Sequence, residues 1–310
     1  MVSFGPRTFW PFHALEKGKN AIIVEGGLPP FLGNSETDHF SEVYENLKGF
    51  FLTSHFDWSI PDNVISKYKN IPVKVVSHPL DNYSKNFILN LRNSSLDQIN
   101  EFKKAFFKKY FSDVNYDNKL FLAIRNNYSY LDVNNLESNG GWLKQKEYDE
   151  SNYFMVSFLS SLSKVNENFL IYLSPQISRK YKSLINNLKN IEIIGKSFIE
   201  QQDCMVLSKI VDLNINRAVR CVTEMEIAAS GSYGIIVPCP TEYMHEDISA
   251  DFAQSLGITK TIKFDTPNIA SDIFDYINSD DYFESKEKKI KTWDKMYKEN
   301  NLVDIILKSY

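Results

Sequence analysis

A chain of 310 residues exceeds what one small core needs and suits two α/β domains of ordinary size. Hydrophobic residues make up 43% and charged residues 24% of it, without any run of about 18 apolar residues to span a membrane. The net charge of −4 denies it the basic field that a surface built to grip nucleic acid requires.

The first 20 residues include Pro6, Pro11 and His13 and lack the basic-then-apolar order of a secretory leader. The expected location is therefore cytoplasmic. Cys204, Cys221 and Cys239 are odd in number and share no CxxC spacing, so they read as reduced side chains, and no metal site is expected.

In chain order, "MVSFG" offers a short first strand. "NAIIVEGG" (20–27), "GFFLTSHF" (49–56) and "PVKVVSHP" (72–79) are β-branched or aromatic runs closed by Gly, Ser or Pro, as buried parallel strands are. Between them, 35–47 and 61–70 carry helical spacing behind capping residues. A long amphipathic helix follows at 95–111, opened by Ser95 with Gln98 three residues on, a capping box.

The alternation then restarts. Strands are expected at 119–125, 168–174, 191–195, 211–215, 234–238 and 259–264, with helices at 150–165, 178–188, 201–210, 222–232 and 245–257 between them. Polar helices run from 268 to 310. Six strands with intervening helices make a doubly wound sheet. The expected division is 1–112 for a first Rossmann-like domain with its linking helix and 113–310 for a second, with the ligand cleft at the carboxyl ends of the strands.

Within the second half, "NRAVRCVTEMEIAASGSYGIIVPCP" followed by "HEDISADFAQSLGI" resembles the donor-binding half of GT-B glycosyltransferases. The similarity is greatest to the lipid-linked N-acetylglucosaminyltransferases of the MurG type, and it covers about 40 residues. It implies two facing Rossmann-like domains and a metal-independent transfer of sugar from a nucleotide-diphosphate donor, UDP-linked, to a glycan, lipid-linked or other hydroxyl acceptor. No separate cofactor is implied.

The resemblance also implies site residues. Glu226 in "EIAA" falls on the ribose-binding glutamate, with Glu224 as the competing register. Arg217, Arg220 and Thr223 would neighbour the diphosphate at a helix N-terminus, and His245, Glu246 and Asp247 would meet the sugar. Where such enzymes carry a glycine-rich loop after the first strand, this chain has Asn126, Asn127 and Ser129, of which Asn126 and Ser129 are candidate phosphate contacts. Glu224 on its own reads as a first-turn charge opposing the helix dipole.

For the catalytic base the first half offers Glu25 at a strand end, His55 in "TSHFDW" and His13 in "RTFWPFHALEKG". The helix at 95–111 carries Phe102, Phe106, Phe107, Tyr110 and Phe111 beside four lysines. That pattern suits either a buried linking helix or peripheral contact with an anionic membrane. A nucleotide-sugar epimerase or hydrolase, and a non-catalytic nucleotide-sugar or glycan-binding protein, share the fold and stay open as alternatives.

Overall fold

The computed structural model describes residues 2–4, 21–25, 47–53, 73–76, 84–125, 155–173, 188–195, 199–216, 222–237, 246–255, 257, 259–263 and 266–299. The helices expected at 35–47, 61–70 and 178–188 lie outside those residues, except that Leu47 opens a strand and Leu188 is described and not helical. The first half contributes four strands, β1 (Val2–Phe4), β2 (Ala21–Glu25), β3 (Leu47–Thr53) and β4 (Val73–Val76). They pair in parallel, in chain order.

Two helices follow, α1 (Lys85–Arg92), for which the sequence reading made no provision, and α2 (Leu96–Tyr110). Ser95 caps α2 as expected: its Oγ accepts from the Gln98 amide at 3.3 Å, and Gln98 Oε1 accepts from the Ser95 amide at 2.9 Å.

The second half builds β5 (Leu120–Ile124), helical residues 155–162 (α3), β6 (Phe169–Tyr172) and β7 (Ile191–Ile194). It continues with α4 (Gln201–Ile210), β8 (Leu213–Asn216), α5 (Val222–Ala229) and β9 (Gly234–Ile236). Then come α6 (Glu246–Ser255), β10 (Lys260–Thr261), α7 (Ile269–Ile277) and α8 (Asp280–Glu299). All six strands are parallel, in the order β10-β9-β8-β5-β6-β7. The order reverses between β5 and β8, because β6 and β7 are laid down on one side of β5 and β8 to β10 on the other.

Alternate residues of each strand feed two cores. Leu122 and Ile124 pack with Phe158, Leu162 and Ile273 under α3 and α7. Phe121 and Ala123 pack with Leu91, Phe107, Met205 and Ala228 under α1, α2, α4 and α5. The aromatic stripe of α2 therefore belongs to the core of the six-stranded sheet. Phe106, Phe107 and Phe111 are buried, so this face is closed to a membrane, and burial within the second half is the correct alternative. Among the described residues no helix is long and apolar enough to cross a membrane.

The turn from α5 to β9 is fixed by a glycine. Gly231 takes φ 71°, and the Ser232 and Gly231 amides donate to the Ile227 and Ala228 carbonyls, the pairing of a Schellman cap. Arg92 of α1 completes that helix end. Its Nη1 donates to the Ala228 and Ala229 carbonyls at 2.8 and 3.2 Å, while Nη2 meets Asp294 of α8 at 3.0 Å.

Candidate functional site

In an open parallel sheet, strands on either side of the reversal send their crossovers to opposite faces, leaving a crevice at the carboxyl ends of the two central strands. Here those strands are β5 and β8, ending at Ile124 and Asn216. A ligand entering the crevice would meet the residue after Ile124, the residue that ends β8, and the N-terminus of α5.

The residue after Ile124 is Arg125. Its amide donates to the Ile215 carbonyl at 3.1 Å, which carries the β5–β8 pairing one step past the strand. The side chain is buried at 9% exposure beneath α4 and α5. Nη1 donates to the Cys204 carbonyl and to Glu226 Oε2, each at 3.0 Å, and Nη2 donates to Ser208 Oγ. Ser208 Oγ in turn donates to the Cys204 carbonyl at 3.0 Å, so α4 supplies a fixed cradle for the guanidinium. The Nε–H of Arg125 meets no acceptor among the described residues. Burial, the largest influence, pushes the Cys204 thiol up to about 11, so this cysteine stays protonated beside the arginine.

The two acids of "TEMEIAA" do separate tasks. Glu226 is buried at 4% exposure and reaches Arg125. Glu224, read from sequence as a first-turn charge opposing the helix dipole, does lie in the first turn of α5, and it is fully buried there. It pairs with Lys289 of α8 and accepts from Asn216 Nδ2 at 3.1 Å. Its burial has a geometric cause: two residues along a helix is a turn of about 200°, and α5 is covered on both of those faces, by α4 and by α8. Its low amphipathicity offered no exposed side for either acid.

A close approach supports the same strands. A Cβ on Gly234 would sit 2.9 Å from the Asn214 carbonyl oxygen, so only glycine lets β9 lie this near β8. The buried Asn214 side chain turns away to donate to the Ser208 carbonyl at 2.9 Å.

Of the remaining sequence candidates, Thr223 lies half-buried in the first turn of α5. Glu246 and Asp247 open α6, and Glu25 is the last residue of β2. His13, His55, Asn126, Ser129, Arg217, Arg220 and His245 lie outside the described residues, as does the Asn127 between the two loop candidates. Thus Glu226 and Thr223 share α5 beside Arg125. Arg125 itself was missed, although a cation closing the apolar run "LFLAI" was a visible signal. Lys289 had none, for it sits in the run "KEKKIK" beside the exposed Lys288 and Lys291.

A parallel four-stranded sheet followed by a six-stranded sheet of this order, with polar residues gathered at the switch point, defines a Rossmann-like α/β protein of the GT-B fold. Solved structures agree. MurG of Acinetobacter baumannii matches with a TM-score of 0.53 at 18% identity, over 94% of this chain and 68% of that one. The trehalose-6-phosphate synthase OtsA matches with a TM-score of 0.57 at 10% identity, over 95% and 68%. HepE of Anabaena, solved in complex with UDP-glucose, matches with a TM-score of 0.52 at 10% identity, over 99% and 77%. These identities speak to the fold. No protein-family model matches the sequence, and no curated protein matches it.

Proposed function

We propose that this protein is a glycosyltransferase that moves a sugar from a nucleotide-diphosphate donor, UDP-linked, to a hydroxyl acceptor. The observation that carries the reading is Arg125, a buried guanidinium at the switch point that is paired with Glu226 of α5 and whose Nε–H meets no acceptor among the described residues. Breaking the glycosidic bond puts negative charge on the departing diphosphate. A preorganised cation and the free amides of a helix start stabilise that charge more than they stabilise the ground state. Arg217, Arg220 and Thr223 would add to this field, as would Asn126 and Ser129, and no metal is needed for it. His245, Glu246 and Asp247 would meet the sugar, and Glu25, His55 or His13 would take the acceptor's proton. The acceptor is a glycan or a lipid-linked hydroxyl.

In this reading Glu226 works first through Arg125, which its Oε2 holds, and a ribose contact is secondary. Titration calorimetry with UDP and with uridine separates the two roles. Glu226→Ala is expected to weaken UDP much more than uridine, whereas equal losses would return the carboxylate to the ribose. Thermal shift against UDP, GDP, CMP and dTDP tests the reading as a whole, since a ligand bound only by the folded chain raises its melting temperature. UDP is expected to give the largest rise, and no rise with any nucleotide refutes a donor site. Incubation with UDP-sugars in the absence of acceptor should leave the donor intact, and an epimer or free sugar would make the chain an epimerase or hydrolase instead.

A further inference from the structure

The pair formed by Lys289 and Glu224 is out of place as a source of stability. Both side chains are fully buried, one from the long C-terminal helix α8 and one from α5. Removing two charges from water costs so much that an apolar pair of the same volume generally serves a core as well or better. The pair therefore asks for a role that apolar groups cannot fill.

Its surroundings point to one. Glu224 accepts from Asn216 Nδ2 at 3.1 Å, and Asn216 is where the chain leaves β8. The Asn216 carbonyl accepts from the Val237 amide at 2.8 Å, so the residue is pinned to β9 as well. One carboxylate thus ties the last residue of β8 to the first turn of α5. The Lys289 ammonium fixes that carboxylate from the opposite side, 5.2 Å from the centre of the Tyr233 ring.

We propose that Lys289 is a positioning residue for the ligand site: through Glu224 it sets the Asn216 amide and the N-terminus of α5, making α8 part of the donor site. This inference rests on the donor site proposed above. It assigns the C-terminal helix a role in ligand affinity that neither the fold nor the sequence resemblance implies.

The test is calorimetric titration of UDP into the full chain and two double variants, with melting temperatures measured in parallel. Glu224→Leu with Lys289→Met replaces the pair by apolar side chains and removes the carboxylate to which Asn216 Nδ2 donates. Glu224→Gln with Lys289→Met removes both charges and keeps an amide acceptor for Asn216. Both pairs are expected to melt near the parent; the apolar pair is expected to bind UDP about tenfold or more weakly, and the glutamine pair, which keeps an acceptor for Asn216 but has lost the Lys289 hold on it, about threefold or more weakly, so that parent-like affinity in the glutamine pair overturns the role of Lys289. Asn216→Ala, which leaves the ion pair in place, serves if the apolar pair does not fold, and the same loss is expected of it. Parent-like UDP affinity in the apolar pair or in Asn216→Ala overturns the inference while leaving the donor site standing. A parent chain that binds no nucleotide overturns the donor site and this inference with it.

Discussion

The Arg125–Glu226 pair can be weighed without any ligand. Glu226→Leu removes the carboxylate and leaves a buried guanidinium that keeps the Cys204 carbonyl and Ser208 Oγ as partners. Breaking one side of a buried ion pair costs about 3–5 kcal/mol. The two surviving hydrogen bonds place this change at the low end, about 3 kcal/mol. For a domain of about 150–250 residues that is a fall of roughly 6–12 °C in melting temperature. Arg125→Met alone leaves the Glu226 carboxylate facing Met and should cost a similar amount. Arg125→Met with Glu226→Leu removes both charges together and should fall within about 1 kcal/mol of the parent. A double-mutant cycle by chemical denaturation at neutral pH should then give a coupling of about 2 kcal/mol or more. Additive losses, with a coupling below about 0.5 kcal/mol, would refute the claim that the two groups hold each other in the buried cradle.

Phe107→Ala should destabilise by about 3–5 kcal/mol through loss of a fully packed ring, and binding to anionic vesicles should not change, because that ring lies against Phe121 in the core. Gly231→Ala should cost about 1–2 kcal/mol in denaturation, since the residue sits at φ 71° and the added Cβ would stand 3.3 Å from Arg92 Cγ. Burial, with smaller contributions from Lys286 and Arg92, pulls the Lys209 ammonium down from 10.5 to about 8. Between those values the unfolded chain holds a proton the folded chain has released, so this group's contribution to stability rises as pH climbs from about 8 to 10.5 and is level below. Lys209→Met should therefore gain on the parent most at pH 7 and lose about 1–2 kcal/mol of that advantage by pH 10, allowing for solvent screening of a half-buried group. A pH-independent difference between the two proteins would refute the shift.

The fold was open to sequence reasoning where each element carried its own period. The strands of the second half are short apolar runs cut by Gly, Pro or Ser, and the capping box at Ser95 and Gln98 announces α2 within a residue of its observed start. The helix α1 was hidden because "KNFILNLR" spans barely two turns of amphipathic repeat, and its place is settled by Ile88 and Leu91 packing on a sheet laid down later in the chain. The candidate site was legible only where a local motif bore it. Glu226 stood out through its flanking alanines, which are small because the helix packs closely on β8 and α4. Its partner could not be read, since Arg125 lies 101 residues earlier and meets it only once β5 and β8 become neighbours. The burial of Glu224, a first-turn acid as read, was hidden by the same logic from the other direction. A first-turn acid opposing the helix dipole and a buried acid paired with a lysine 65 residues on have the same local sequence, and only the return of α8 over α5 distinguishes them. Charges that a ligand site needs in a dry place are brought together by topology, so this fold's chemistry is distributed over segments none of which shows it alone.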